Sequence, residues 1–442
     1  MKEKIFKAYD IRGVYPEEID EDSAYKIARA YSEFLPDAKK IVVGCDNRLS
    51  SPGIKEAVIK GLMDSGKEVI DINLCSTPMF YFAVSHYNYD GGLTITASHN
   101  PPKYNGIKLV REKAIPISGD TGIKEIKKIA LNEDFGEKKQ GKRKSKKVLV
   151  DYLRYSLKKF KLSKFNDLNL VVDTANAVPG ILIPELKERF PGNIRHLFAK
   201  LNGNFPNHAP DPMDEENIKD LKKEVQNGKA DLGIAFDGDG DRISFLDEKG
   251  NTISSDLILA LISKIILKEN QGAKIMYDLR SSNVVRETIE KHGGEPIMGR
   301  VGHSFIKSRM REEDVLFAGE LSGHYYSGEY FFEAPLFVLL SICKEIVDTG
   351  KTLSELIEPY REYYHSGEIN FEVDNKQKKI NELKEEYSDG EVSEIDGLRV
   401  DYEDWWFSVR ASNTQPLLRL IVESKSKEIM EEKVEELKGK IK

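Results

Sequence analysis

Three apolar segments of this chain end in the same way, with an aspartate followed by a polar turn, and this recurrence most constrains the fold. The segments lie about one domain length apart, at Ile41–Ser51, Leu170–Ala177 and Ile275–Asn283, with the aspartates at Asp46, Asp173 and Asp278. Unrelated strand ends can resemble one another by chance. The alternative is three copies of one α/β unit, repeated at a domain-sized period.

Short apolar runs alternate with longer amphipathic stretches along most of the chain, which is the pattern of α/β domains. We predict strands at Lys40–Gly44, Leu93–Ala97, Leu168–Asp173, Leu232–Asp237 and Lys274–Asp278. We predict helices at Ser23–Phe34, Ile54–Ser65, Glu215–Asn227, Ser255–Lys268 and Ala334–Thr349. After about Gly367 the pattern changes to that of a smaller α+β domain, with a hairpin at Asp396-Gly397, strands at Trp405–Val409 and Leu417–Glu423, and a helix at Lys425–Lys440.

Length and composition exclude several classes of protein. The 442 residues have room for about two to four domains, and a hydrophobic content of 40% indicates a globular chain. A net charge of −7 argues against a nucleic-acid partner. No apolar run approaches the roughly 18–20 residues that span a bilayer, no signal-peptide pattern opens the chain, and three widely spaced cysteines do not indicate a disulfide framework. We therefore expect a soluble, cytoplasmic protein.

Two polar segments indicate domain boundaries. Gly136–Lys147 carries seven basic residues in twelve, and we interpret it as an exposed stretch between domains rather than a nucleic-acid-binding tail. Asp247–Asn251 is a turn cluster that closes a second unit. The predicted domains are residues 1–147, 148–248, 249–364 and 365–442.

The segment Leu93–Pro102 places a serine on a constrained turn. A strand runs into Ser98, His99 and Asn100, and two prolines then prevent a helix from following. We expect the Ser98 hydroxyl to face outward, as nucleophilic serines on such turns do. The alternative is a surface turn that merely favours these residue types.

The loop after the Leu232 strand carries three carboxylates. Asp237, Asp239 and Asp241 alternate with glycines, so the tight backbone lets them converge on one cation. Oxygen ligands suit Mg²⁺ or Ca²⁺ rather than zinc. An EF-hand is disfavoured because Arg242 replaces its invariant glycine and a strand precedes the loop. A solvated acidic turn is the remaining alternative.

Two further loops carry groups suited to sugars and phosphate. Leu316–His324 combines a carboxylate, a hydroxyl and an imidazole, which are partners for sugar hydroxyls. Gly299–His303 is a second basic cluster flanked by glycines. Val409–Pro416 supplies a guanidinium, hydroxyls, an amide and backbone N–H groups, which fit a bound phosphate. Ordinary polar loops without a ligand are the alternatives.

The order of these motifs closely resembles the α-D-phosphohexomutase family, and the opening motif resembles its phosphomannomutase/phosphoglucomutase branch. The motifs run from about residue 6 to beyond residue 420, and they are Phe6–Gly13, Thr96–Pro101, Asp237–Arg242, Gly319–His324 and Arg410–Pro416. The resemblance implies an α/β fold with four domains around a central cleft. Three are related α/β domains with mixed sheets, and the fourth is a smaller C-terminal α+β domain.

The resemblance also implies roles for individual residues. Ser98 would carry the phosphoryl group, Mg²⁺ would be bound by Asp237, Asp239, Asp241 and the Ser98 phosphate, and Glu320 and Ser322 would hold sugar hydroxyls. A phosphate clamp would consist of Arg410, Ser412, Asn413 and Thr414. Further substrate-binding positions would be Tyr9, Arg12, Arg242, Arg280, Arg300, Gly302, His303 and His324. The catalytic base would be His99 or Lys108, and the sequence does not decide between them.

The implied reaction interconverts the 1-phosphate and the 6-phosphate of mannose or glucose. It proceeds through a phosphoserine and a hexose 1,6-bisphosphate. The hexose 1,6-bisphosphate is also the expected activator. Three departures from the family pattern, Leu321 for Met, Gln415 for Glu and Cys45 for Arg, leave the sugar open. The alternatives are a phosphoglucosamine mutase, a Mg²⁺-dependent sugar phosphatase and a non-catalytic Ca²⁺-binding module. We expect hexose phosphates as the partners, no nucleic acid or membrane, and a monomer or homodimer.

Overall fold

The computed structural model describes residues 1–412 and 417–442 and divides into two compact units. The larger unit comprises Met1–Ile253 and Ser322–Ser354, and the smaller comprises Ser254–Leu321 and Glu355–Lys442. No helix among the described residues is long and apolar enough to cross a bilayer.

The larger unit begins with a six-stranded mixed sheet. Its strands are β1 (Ile11–Val14), β2 (Lys40–Cys45), β3 (Glu68–Leu74), β4 (Gly91–Ile95), β5 (Tyr104–Arg111) and β6 (Lys142–Ser145), in the order β1-β5-β4-β2-β3-β6. The helices are α1 (Glu21–Phe34), α2 (Ser51–Asp64), α3 (Thr77–His86), α4 (Lys124–Asn132) and α5 (Leu149–Leu157). The apolar faces of α1 and α2 pack with β2 in a continuous core. An Asp20–Ser23 capping box begins α1.

A second mixed sheet follows in the same unit. It consists of β7 (Asn169–Asp173), β8 (Asn193–Leu197), β9 (Leu232–Phe236), β10 (Ile243–Leu246) and β11 (Thr252–Ile253), in the order β11-β10-β9-β7-β8, with α6 (Leu182–Lys187) and α7 (Lys219–Gly228).

The smaller unit opens with a parallel arrangement of three strands. Its elements are α8 (Ser255–Leu267), β12 (Lys274–Asp278), α9 (Asn283–Lys291), β13 (Glu295–Gly299), α10 (His303–Glu313) and β14 (Phe317–Gly319), with β12 between the other two strands. The next segment of the chain belongs to the larger unit. It forms the antiparallel pair β15 (Tyr325–Ser327) and β16 (Phe332–Glu333), and then the helix α11 (Pro335–Thr349). The short helix α12 (Leu353–Ile357) follows.

The same local structure recurs at the end of β2, β7 and β12. Each of these strands pairs in parallel with the two strands that come after it in its own sheet. At their ends Asp46, Asp173 and Asp278 each accept the backbone N–H two residues on, at 3.0, 2.8 and 2.8 Å. The recurrence in the sequence therefore corresponds to a repeated α/β unit.

The rest of the smaller unit is an antiparallel sheet with two helices. It contains β17 (Tyr364–His365), β18 (Ile369–Glu372), α13 (Lys376–Glu386), β19 (Glu391–Ser393), β20 (Leu398–Asp401), β21 (Trp405–Ala411), β22 (Leu417–Ser424) and α14 (Lys427–Ile441). The predicted hairpin joins β19 and β20, and Gly397 adopts a φ of +84° there. The predicted fold class, with mixed-sheet α/β domains and a C-terminal α+β domain, is confirmed.

Two predicted segments differ most from the structure. The helix predicted from Glu215 begins only at Lys219, because Asp214 accepts the N–H of Glu216 and keeps that segment in a turn. The basic stretch Gly136–Lys147 is exposed as predicted, but it is more than a connection, since it contains the edge strand β6.

Candidate active site

Ser98 lies just beyond β4 with its side chain turned inward. The residue is 4% exposed, and its hydroxyl lies 2.8 Å from Asp237 Oδ2 and 3.2 Å from His99 Nδ1. Its φ of +50° is uncommon for a residue other than glycine. The prediction of an outward hydroxyl is wrong because Asp237, which is remote in sequence, provides a buried acceptor.

The three aspartates of the loop between β9 and β10 form one buried cluster. Each of Asp237, Asp239 and Asp241 is at most 2% exposed, and one carboxylate oxygen from each lies within 4.8 Å of the others. Asp237 Oδ1 accepts the backbone N–H of Gly240 at 2.9 Å, in a turn where Gly240 has a φ of +72°. The alternative of a solvated acidic turn is therefore wrong.

Lys108 on β5 supplies positive charge to this cluster. Its ammonium donates to Asp239 Oδ2 at 2.8 Å and to Asp241 Oδ2 at 2.6 Å. Although burial alone lowers the pKa of Lys108, the two carboxylates raise it well above its ordinary value. Burial, with the neighbouring carboxylates, also raises the pKa of Asp237 well above its usual range. The negative charge of the cluster is thus only partly neutralised by this lysine.

The cluster fits a hard divalent cation. Asp239 Oδ1 is buried and has no hydrogen-bond partner, so it is available as a ligand. Three carboxylates without nitrogen or sulfur donors match the preference of Mg²⁺ or Ca²⁺. The strand β10 follows the loop, which is not the helix–loop–helix arrangement of an EF-hand.

Two predicted substrate-binding residues, Arg12 and Arg242, interact with the residues that follow Ser98. Arg12 donates to Asn100 Oδ1 at 2.5 Å and pairs with Asp10, and Tyr9 lies half-buried just before β1. The positive charge of Arg242, together with burial, lowers the pKa of His99 well below its ordinary value. Both effects favour the uncharged form of the His99 imidazole.

The larger unit also contains part of the predicted sugar loop. His324 Nδ1 lies 2.9 Å from Ser322 Oγ, and its Nε2 lies 3.2 Å from Asp241 Oδ1. The backbone of His324 also forms a bridge with that of Arg242. His324 thus contacts the aspartate cluster directly, and Ser322 is connected to the cluster through His324.

The smaller unit gathers a second set of predicted residues. Glu320 is 2% exposed, and its Oε2 accepts the N–H of Gly302 at 2.9 Å. His303 begins α10 directly after Gly302. The guanidinium of Arg300, which is exposed, lies 3.9 Å from the Phe305 ring centroid.

Cationic side chains converge on Glu368 in this unit. Its carboxylate pairs with Arg410 and Arg419, at 2.9 Å each, and lies 3.9 Å from Arg280. Arg280 is anchored to Asp278 by a 2.7 Å bond. The backbone of Ser412 donates to the chain at the start of β22. The predicted phosphate ligands Asn413 and Thr414 lie outside the described residues.

Four residues near these sites were not predicted from the sequence. Arg48 donates to the Ser98 carbonyl, Thr77 donates to Asp239, and Glu368 and Arg419 join the arginine cluster. Arg48 follows Asp46 as Arg280 follows Asp278, so the repeated strand end was a usable signal for it. No local pattern distinguishes the other three.

Comparison with known proteins supports one family over the whole chain. Models of phosphoglucomutase/phosphomannomutase domains I, II, III and the C-terminal domain match residues 3–137, 150–250, 254–363 and 368–440. The phosphomannomutase of Methanocaldococcus jannaschii is 42% identical, with 99% of this chain and 97% of the relative covered. That of Vibrio cholerae is 41% identical, with 99% and 98% covered.

Solved structures agree with this result. A phosphoglucomutase/phosphomannomutase family protein from Burkholderia thailandensis superposes with a TM-score of 0.92 at 33% identity, and the match covers 100% of this chain and 97% of that one. Sequence, domain content and fold agree, and the chain belongs to the phosphoglucomutase/phosphomannomutase family.

Proposed function

We propose that this chain is a phosphohexomutase that interconverts the 1- and 6-phosphates of mannose, glucose or both. Relatives at about 40% identity over the full length carry the name phosphomannomutase, which supports mutase activity. The observation that carries the mechanism is the 2.8 Å contact between the Ser98 hydroxyl and Asp237 inside a buried three-carboxylate cluster.

In this proposal Ser98 is the phosphoryl carrier. Asp237, Asp239 and Asp241 would hold Mg²⁺ together with the Ser98 phosphate, and the bound ion would supply positive charge that offsets the charge of the phosphoryl group. Lys108 and Arg242 add positive charge around the same position. Ser98 is only 4% exposed, and restricted access of water favours transfer to a sugar hydroxyl over hydrolysis.

The Ser98 oxygen loses a proton when it receives a phosphoryl group and gains one when the phosphoryl group leaves, so a proton-exchanging group is needed close to it. Lys108 holds its proton because two carboxylates surround it, whereas His99 favours its uncharged form and lies 3.2 Å from the Ser98 oxygen. We therefore propose that His99 accepts the proton of the Ser98 hydroxyl when a phosphoryl group is transferred to the enzyme, and returns a proton to the Ser98 oxygen when the phosphoryl group leaves. Lys108 then keeps the carboxylates in place.

The remaining predicted residues bind the sugar and its second phosphate. Glu320 and Ser322 hold the sugar hydroxyls, and Arg410 and Ser412, with Asn413 and Thr414, clamp the phosphate that is not transferred. The hexose 1,6-bisphosphate formed on transfer turns around and returns its other phosphate to Ser98, and the same compound activates dephosphorylated enzyme. We further propose that the protein acts in the cytoplasm as a monomer or homodimer.

Intact-mass measurement tests the role of Ser98. Incubation with glucose 1,6-bisphosphate is expected to add one phosphate to the wild-type protein and none to Ser98→Ala. Ser85→Ala removes another buried hydroxyl, on α3, and is expected to keep the adduct. An adduct on Ser98→Ala, or none on the wild type, would refute the assignment.

Steady-state kinetics separate the sugars and the alternative reaction. We expect kcat/KM to be higher with mannose or glucose 1-phosphate than with glucosamine 1-phosphate, and the reverse order would favour a phosphoglucosamine mutase. If inorganic phosphate is the main product, the sugar-phosphatase alternative holds instead.

A further inference from the structure

Arg48, a buried arginine outside the proposed catalytic set, donates hydrogen bonds to the backbone of the loop that bears Ser98. Arg48 follows β2, and its side chain is 0% exposed. Its Nη2 donates to the carbonyls of Ser98 and Asn100, at 2.7 Å each. Its Nη1 donates to the carbonyls of Pro101 and Tyr104, at 2.7 and 3.2 Å.

The fifth donor of the guanidinium is also used. Nε donates to Asp46 Oδ2 at 3.1 Å, and Asp46 in turn accepts the hydroxyl of Ser51 at 2.5 Å. The Phe205 ring lies 5.1 Å from the guanidinium carbon. All five N–H donors of Arg48 are therefore satisfied, four of them by one short stretch of backbone.

This stretch has a conformation that needs external support. Ser98 has a positive φ, which L-residues other than glycine rarely adopt and which costs free energy. The Ser98 carbonyl also lies against Gly238, where an added Cβ would come within 2.3 Å of it. The Arg48 bonds fix this carbonyl, and therefore the direction in which the serine side chain leaves the backbone.

We propose that Arg48 is a positioning residue for phosphoryl transfer, which holds the residue 98–104 backbone so that the Ser98 oxygen stays directed at the aspartate cluster. The proposal rests on the proposed function of Ser98 as the carrier. A lysine cannot replace this arginine, because three donors on one nitrogen cannot reach four carbonyls and a carboxylate.

The repeated architecture supports a specialised role. Arg280 occupies the equivalent position after β12, where it bonds to Asp278 and lies near Glu368. The equivalent position after β7 is Ala175. The repeat thus does not require an arginine for its own folding, and Arg48 uses the position to bind the loop that bears Ser98.

The test compares Arg48→Lys and Arg48→Met with the wild type. We expect kcat to fall about 100-fold, the effect of a displacement of about 1 Å at a reacting atom, while KM changes less than threefold. Phosphorylation of Ser98 by glucose 1,6-bisphosphate, followed by intact mass over time, should slow by a similar factor.

Lys67→Met is the matched control. Lys67 is also a buried cation of the larger unit, and it donates to the carbonyls of Leu35, Pro36 and Ala38, which are far in sequence from the loop of Ser98. We expect it to lower the melting temperature while kcat stays within threefold of wild type.

Three results would contradict the proposed role of Arg48 or the function on which it rests. Wild-type kcat and phosphorylation rate in folded Arg48→Lys would overturn the proposal, and this milder variant decides the matter if Arg48→Met does not fold. An equal kcat loss in Lys67→Met would also overturn it, since general destabilisation would then explain the effect. Phosphorylation and activity that persist in Ser98→Ala would instead refute the proposed function.

Discussion

Removing the hydroxyl of Thr77 should weaken metal binding without disturbing the fold. Thr77 begins α3, and its Oγ1 donates to Asp239 Oδ2 at 2.6 Å while its N–H donates to the Asp239 carbonyl at 2.8 Å. Thr77→Val keeps the volume and the backbone bond and removes only the hydroxyl contact. Valine therefore isolates the contribution of one hydrogen bond to a carboxylate of the proposed metal site.

The magnitude follows from the charge of the acceptor. A hydrogen bond to a charged group contributes about 1.5–3 kcal/mol to stability. Loss of a hydrogen bond to a side chain that binds a metal lowers the metal affinity roughly 10–100-fold. Lys108 donates to the same Asp239 oxygen at 2.8 Å, so the carboxylate stays partly oriented in the variant. We therefore expect the metal affinity to fall about 10-fold, at the lower end of this range.

Activity measured against Mg²⁺ concentration tests this prediction. The half-activating concentration should rise about 10-fold in Thr77→Val. Thr174→Val is the control, because Thr174 is equally buried and its hydroxyl lies 2.8 Å from His196 Nε2, away from the aspartates. An unchanged Mg²⁺ requirement in folded Thr77→Val, or the same change in both variants, would contradict the reasoning.

Three further predictions concern catalysis, pH and packing. Gly238→Ala should lower kcat about 100-fold, because its Cβ would collide with the carbonyl of Ser98, the proposed phosphoryl carrier, whereas Gly228→Ala meets no atom within 4 Å and should be silent. Burial alone lowers the pKa of His208, but the carboxylate of Asp173 raises this pKa above its ordinary value. The stability that protonated His208 contributes is therefore complete below about pH 6.5 and is lost as the pH rises through the raised pKa. His208→Gln should lower the melting temperature more at about pH 5.5 than at about pH 9. Ile234→Ala, in the fully buried strand β9, should reduce the free energy of unfolding by about 2–5 kcal/mol in a denaturant titration.

The parts of the fold that depend on local sequence could be predicted. The strands β2, β7 and β12 end at an aspartate that fixes the next turn through its own backbone contact, so each signal lies within a few residues. The aspartate loop between β9 and β10 could be predicted for the same reason, since its carboxylates and its glycines are adjacent in sequence.

The parts that depend on distant partners could not be predicted. The orientation of Ser98 depends on Asp237, and Arg48 bonds to carbonyls about fifty residues further along the chain. The strand β6 contains no apolar residue, and it lies at the sheet edge, where Lys142 and Lys144 pair with Glu68. Neither hydrophobic periodicity nor propensity records such contacts.

The fate of a labelled phosphoryl group tests the central claim most directly. The enzyme is first labelled with ³²P by a labelled hexose 1,6-bisphosphate, freed of small molecules, and mixed with unlabelled mannose 1-phosphate for a single turnover. A phosphoserine mutase predicts that the label leaves Ser98 and appears in mannose 1,6-bisphosphate and mannose 6-phosphate. Label that appears chiefly as inorganic phosphate, or that stays on the protein while mannose 6-phosphate forms, would contradict the account.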